Sequence, residues 1–348
     1  MLKRPKNILI IRFSAMGDVV LTVPVILSLL KEYPDTQITL LTKPFFHPFF
    51  KEIPNLTLFP VDLKNKHKGV KGLYNLVREL THTKKFDAVI DLHSVIRTWL
   101  IDTFFKLKGI PVYRIDKGRK EKQAFVKQKN GKKLPHSTER YRNVFVKSGF
   151  DFTLTKALLP VDNKKLKDIC KEFVVDKAAI GIAPFAAHKS KQWGIDKVTA
   201  LIEQINKKNK VRFYLFGGGA DEVKQLNMIA GKYKNVINLA GRFSLADELH
   251  LLQELDVLIA MDSGNMHIAS LLGTPVISIW GGTHPDLGFS ALYQPEKNTI
   301  QIDIANLPCR PCSVFGTNTC QLTDKPFACM TQMGTSAVIH RLEEMKIV

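Results

Sequence analysis

The sequence predicts an α/β protein built from two doubly wound parallel sheets, and three observations carry that expectation. Short apolar runs rich in Ile and Val alternate with helix-period stretches, and the alternation occurs twice along the chain. Two of these runs, Ile8-Leu-Ile-Ile-Arg-Phe-Ser-Ala-Met-Gly-Asp18 and Ala260-Met-Asp-Ser-Gly-Asn-Met-His267, lead through a turn of small residues into a helix. The length, 348 residues, is too great for one ordinary core and suits two domains.

The expected strands are Asn7–Arg12, Gln37–Leu41, Ala88–Asp91, Ala179–Ala183, Val211–Phe216, Val257–Ala260 and Val276–Ile279. Most are continuously apolar, as parallel strands covered on both faces must be. Helical patterns fall between them at Pro24–Glu32, Tyr74–Thr81, Lys197–Lys207 and Asp247–Leu255. The alternation stops in a polar stretch near residues 155–176, so a first domain is expected over 1–160 and a second from 161. Residues 114–147 lack strand periodicity and carry many basic side chains, which predicts a mobile segment on the cleft side of the first domain.

Composition is that of an ordinary globular protein, with 45% hydrophobic and 24% charged residues. No apolar run approaches the ~18 residues of a membrane span. The basic then apolar N-terminus resembles a signal peptide, but Arg12 interrupts it and no convincing cleavage site follows. It reads as the first core strand of a cytoplasmic protein. The net charge of +19 is concentrated: residues 1–160 hold 30 Lys and Arg against 13 Asp and Glu. Such a field predicts an anionic partner, whether a phosphorylated substrate, an anionic membrane surface or nucleic acid. The alternative is a solvated basic face with no specific partner.

Candidate chemistry gathers at the turns, because ligands of open α/β sheets bind outside the carboxyl ends of the strands. Asp18 follows Gly17 and opens a helix. It is either a helix N-cap or a general base at a cleft. His188, Lys189 and Lys191 put cationic groups on the loop after a strand, where charge on a leaving phosphate needs donors. Trp193 reads as core packing. Glu222, after Gly217-Gly-Gly, either accepts ribose hydroxyls or stabilises its helix dipole. Asp262 or Ser263 can cap a helix whose remaining N–H groups face an anion, and His267 lies one turn in. The Cys309-x2-Cys312 pair allows a zinc site, but the spacings on to Cys320 and Cys329 do not match a standard finger, so the four read as free thiols packing a loop, with a metal site as the alternative.

Together these segments resemble glycosyltransferase family 9, the lipopolysaccharide heptosyltransferases. The resemblance covers most of the chain. It rests on Ser14-Ala-Met-Gly-Asp18, Asp87-Ala-Val-Ile-Asp91, Glu139-Arg140-Tyr141, Lys191-Gln-Trp193, Glu222 and Asp262-Ser-Gly-Asn-Met-His267 with Gly273-Thr-Pro275. It implies the GT-B fold, two Rossmann-like domains facing a central cleft: 1–160 for the acceptor, 161–331 for the nucleotide sugar, and a helix in 332–348 crossing back to the first domain. It implies an inverting transfer of heptose from ADP-heptose to the lipopolysaccharide inner core, on Kdo-lipid A or a heptosyl acceptor. In that reading Asp18 is the base and Lys191 holds the donor phosphates. Met16, Gly17, Ser190, Glu222, Asp262, Ser263, Gly264, Asn265 and His267 contact the donor. His93, Arg97, Arg119, Lys120 and Arg140 contact the acceptor.

No metal and no cofactor are implied. The implied partners are an anionic lipid-linked acceptor and, peripherally, the cytoplasmic face of the inner membrane, with no nucleic acid. The chain departs from some members in having Ala186 and Ala187 where they carry hydroxyls, which Ser190, Lys189 or backbone N–H groups would replace. Three rival readings remain: a family member with a different nucleotide sugar or acceptor, a GT-B nucleotide-sugar epimerase, and a basic nucleic-acid-binding protein.

Overall fold

The computed structural model describes residues 4–128, 132–162, 166–169, 171–173, 177–207 and 211–348. They form two compact units, Met1–Lys117 with His136–Pro160, and Gly118–Pro135 with Val161–Val348.

The first unit is a sheet of parallel strands β1 (Asn7–Ile11), β2 (Gln37–Thr42), β3 (Leu56–Pro60), β4 (Ala88–Asp91) and β5 (Val112–Arg114), in the order β3-β2-β1-β4-β5. Helices α1 (Met16–Val20), α2 (Val23–Glu32), α3 (Gly69–Thr83) and α4 (Ile96–Leu107) connect them. Helix α5 (Arg119–Gln128) groups with the other unit, and α6 (Ser137–Lys147) returns to the first. Central strands β1 and β4 are covered on both faces, and Ile8 through Ile11 are wholly buried.

The second unit has parallel strands β6 (Ala178–Ala183), β7 (Val211–Leu215), β8 (Val236–Asn238), β9 (Val257–Met261), β10 (Val276–Trp280) and β11 (Thr299–Gln301), in the order β11-β10-β9-β6-β7-β8. Its helices are α7 (Leu166–Ile169), α8 (Ile195–Asn206), α9 (Ala220–Ala230), α10 (Leu245–Gln253), α11 (Gly264–Leu272), α12 (Ala328–Thr331) and α13 (Ser336–Glu344). In each sheet the chain order reverses once, between β1 and β4 and between β6 and β9. Those reversals open a crevice beyond the carboxyl ends of the strands.

The structure differs from the expectation in several places. Strands β3, β5, β8 and β11 were not expected. All four are edge strands, and β3 and β5 are only partly buried, so no continuous apolar run marks them. The segment 114–147 is not irregular: it supplies the end of β5 and helices α5 and α6, with residues 129–131 outside the described set. Residues 118–135 group with the second unit because α5 buries Phe125 beside His284 and holds the Lys122 ammonium 3.9 Å from the Phe289 ring centroid. The Leu134 N–H also donates to the Asp286 carbonyl at 2.9 Å. The last helix, α13, expected to cross to the first domain, buries Val338 and Leu342 in the core of the second unit.

Candidate active site

Just past β1, Arg12 is 5% exposed. A guanidinium so buried must be paired. It donates to the Leu92 carbonyl beyond β4 and forms an ion pair with Asp18 Oδ2. Its carbon lies 5.7 Å from the Tyr141 ring centroid. The Tyr141 hydroxyl donates to the Asp18 carbonyl at 3.2 Å and lies 3.4 Å from the Asp18 carboxylate. Burial pushes the Tyr141 phenol far above its usual range, so it stays a donor. Asp18 is therefore held from two sides, while its side chain remains 34% exposed. It is not an N-cap: Ala15 holds that position and no side chain caps α1.

Beyond β4, the buried Asp91 carboxylate accepts the N–H groups of His93 and Ser94, each at 2.8 Å, and the Thr98 hydroxyl at 2.7 Å. This Asx-type turn sets the His93 ring edge-on to Phe13, centroids 5.5 Å apart, with Nε2 3.4 Å from Ser14 Oγ. His93 Nδ1 is buried and has no hydrogen-bond partner among the described residues. Burial, then Arg12, Lys117 and Arg97, lower its pKa to about 3 against the opposing pull of Asp18. His93 is thus a neutral hydrogen-bonding group among cations.

That depression has a testable sign. The unfolded imidazole protonates below about pH 6.5, whereas the folded one stays neutral down to about 3. The stability advantage of wild type over His93→Gln is expected to be full above pH 6.5 and to shrink as pH falls toward 3. Urea unfolding across that window measures it, and a pH-independent difference would refute it.

In the second unit, the loops after β6 and β9 meet. Lys191 Nζ lies 2.9 Å from Asp262 Oδ2, with both side chains largely buried. The Thr283 hydroxyl donates to the same oxygen at 2.8 Å. Asp262 immediately precedes α11, where Ser263 takes the N-cap position in extended conformation. Its hydroxyl makes no capping bond and is buried without a partner among the described residues. Among the described residues no side chain caps the N-terminus of α11, which keeps its positive dipole end with a lysine held one residue away. Chemically this is an anion seat.

A family model described as glycosyltransferase family 9 (heptosyltransferase) matches residues 73–317. The chain belongs to glycosyltransferase family 9. It is 25% identical over 285 residues to the lipopolysaccharide core heptosyltransferase OpsX of Haemophilus influenzae, covering 81% of this chain and 80% of that one. To lipopolysaccharide heptosyltransferase 3 of Escherichia coli it is 25% identical over 282 residues, covering 77% and 81%. Among solved structures, a family 9 glycosyltransferase from Veillonella parvula aligns with TM-score 0.75 at 19% identity, over 98% of this chain and 97% of that one. E. coli heptosyltransferase WaaC with ADP aligns with TM-score 0.69 at 19% identity, over 97% and 99%. These likenesses show the GT-B fold, and the family makes the chain a glycosyltransferase.

Around the anion seat, this family 9 chain is packed without slack. Ser190 is buried. Its N–H donates to the Thr317 carbonyl at 3.0 Å and its Oγ accepts the Thr317 N–H at 2.9 Å. Expected among the donor contacts, Ser190 braces the loop through these two bonds. A Cβ on Gly281 would meet Met330 Sδ at 2.3 Å and the Ser190 carbonyl at 2.4 Å, so glycine is required for that approach. A Cβ on Gly316, at φ +103°, would lie 2.7 Å from the Lys191 side chain, so glycine is needed there as well. Arg310 is buried and donates to the Gly281, Thr283 and Ile302 carbonyls and to Gln301 Oε1. These bonds tie the turn after β10 to the cysteine loop.

The structure thus brings together Asp18, Met16 and Gly17 on α1, with His93, Arg97 and Arg140 in the same unit. Lys191, Asp262, Ser263, Gly264, Asn265 and His267 gather in the other. Glu222 turns back on its own loop, where Oε2 accepts the Gly218 N–H at 2.8 Å. Arg119 and Lys120 are exposed on α5, which belongs to the second unit, not the first as expected for acceptor contacts. Trp193 is buried and donates to the Met333 carbonyl at 3.0 Å. Cys309, Cys312, Cys320 and Cys329 are free thiols, and burial pushes Cys329 up to about 11. Sequence reasoning missed Arg12, Tyr141, Thr283 and Arg310. Arg12 carried a signal, a charged residue inside an apolar strand, and Tyr141 stood in the Glu139-Arg140-Tyr141 motif without a role of its own.

Proposed function

We propose that the chain is an inverting heptosyltransferase that moves heptose from ADP-heptose onto the lipopolysaccharide inner core. The observation that carries this reading is the position of Asp18 and the uncapped α11 tip at the switch points of two parallel sheets. Asp18 takes the proton of the acceptor hydroxyl as that oxygen bonds to the anomeric carbon. The bond from that carbon to the diphosphate oxygen breaks in the same step, which inverts the centre. Lys191 and the α11 N–H groups take up the charge growing on departing ADP, the task a divalent ion performs in other enzymes. The names of the relatives, lipopolysaccharide heptosyltransferases, support the sugar and the pathway. A WaaC neighbour bound to ADP supports the base.

On the acceptor side, neutral His93 with its unpaired Nδ1 sits among Arg12, Arg97 and Lys117, a setting suited to an anionic sugar. A lipid-linked acceptor places the enzyme peripherally at the cytoplasmic membrane face; no helix among the described residues is long and apolar enough to cross a membrane. Thermal shift with ADP, UDP, GDP and CDP, followed by turnover on a deep-rough lipid acceptor, tests the reading. Stabilisation by ADP and acceptor-dependent release of ADP from ADP-heptose are expected. Preference for UDP, or turnover of a UDP-sugar with no acceptor present, overturns it in favour of another donor or an epimerase.

A further inference from the structure

We propose that the face formed by α3 and α4 of the first unit docks on an anionic lipid bilayer. Helix α4 is apolar on both sides. Thr98, Ile101, Asp102 and Phe105 are buried against the sheet. The opposite stripe, Ile96, Trp99, Thr103 and Leu107, repeats at helical spacing and faces outward. Ile96 is 75% and Leu107 79% exposed, where a surface helix ordinarily turns its polar face to water. Helix α3 packs alongside and extends the patch with exposed Val70 and Tyr74, and the Tyr74 ring meets Phe104 of α4 edge-on at 5.5 Å.

Cations surround this patch. Lys71, Arg78, Arg97, Lys106 and Lys108 are exposed on or beside the two helices. The acidic groups there are accounted for: Glu79 pairs with Lys66 at 2.8 Å, and Asp102 is buried with Arg114. A cavity of about 510 Å³ is lined by Asn75, Arg78, Glu79, Thr81, His82 and Lys108. Lys108 directly follows exposed Leu107, so this partly basic lining adjoins the apolar stripe. Aliphatic side chains with Trp and Tyr beside basic groups suit the boundary between acyl chains and anionic headgroups. A second copy of the chain is disfavoured on this face, because the first 160 residues are strongly basic and two such faces repel.

The proposal deepens, and for its setting rests on, the lipid-linked acceptor reading. Its test contains neither acceptor nor nucleotide sugar, so the two fail separately. The full-length protein is mixed with vesicles of phosphatidylcholine, alone or with phosphatidylglycerol. The other two tryptophans, Trp193 and Trp280, are buried, so a change in emission on binding reports Trp99.

With phosphatidylglycerol present, co-sedimentation, a blue shift and quenching by acyl-brominated lipid are expected. Trp99→Ser with Leu107→Ser, and separately Arg78→Gln with Lys108→Gln, are each expected to weaken partitioning at least roughly tenfold. Thermal unfolding confirms that each variant folds. Absence of binding to the anionic vesicles, binding without a change in Trp99 emission, or binding unaltered in both double variants overturns the proposal.

Discussion

Asp18→Asn is expected to lower kcat by about a thousandfold, within the span general bases contribute, while the Kd for ADP changes less than about twofold. The asparagine keeps the size of the side chain, its single amide oxygen can still accept from Arg12, and Tyr141 keeps its bond to the backbone carbonyl of residue 18, so the loop after β1 should hold its shape. What it loses is the ability to take a proton. Alanine is a poorer probe, because it strands the buried Arg12 guanidinium with the Leu92 carbonyl as its remaining partner shown here. Isothermal titration with ADP and steady-state release of ADP separate the two effects. Equal loss of affinity and turnover would mark Asp18 as a structural partner of Arg12 and remove it from the chemistry.

Lys191→Ala is expected to weaken ADP binding by about ten- to a hundredfold, the worth of one charge-assisted hydrogen bond, and to slow transfer by a further hundredfold or so. The loss has two parts. The ammonium no longer reaches the diphosphate, and the Asp262 carboxylate is left buried with the Thr283 hydroxyl, facing an incoming anion with its charge unbalanced. Asp262→Asn in the Lys191→Ala background should therefore recover part of the ADP affinity and none of the rate, a non-additivity that a double-mutant cycle measures. Unchanged affinity and rate in Lys191→Ala would take Lys191 out of the site.

The central strands were legible because they are buried on both faces, so their residues read as unbroken apolar runs. Strands β3, β5, β8 and β11 were not, being short edge strands with mixed side chains. Helix α5 was hidden for another reason: its anchors, Lys122 and Phe125, are recognisable only from His284 and Phe289, which lie far along the chain. At the candidate site, Asp18, Lys191 and the Asp262–His267 turn stood out because strand-turn-helix spacing is local. Their partners did not. Tyr141 is 123 residues from Asp18, and nothing in a sequence window pairs them.

By itself the sequence determined two parallel α/β units, the turns that hold the candidate site and the basic character of the first half. Each follows from short-range periodicity or composition. Tertiary structure alone decided that Asp18 is gripped by Arg12 and Tyr141, that Lys191 is held by Asp262, and that Ser190 is a brace. It also decided that α4 shows an apolar face to the outside. Those outcomes depend on which buried charges find partners across the fold, and burying an unpaired charge costs too much for any local preference to override.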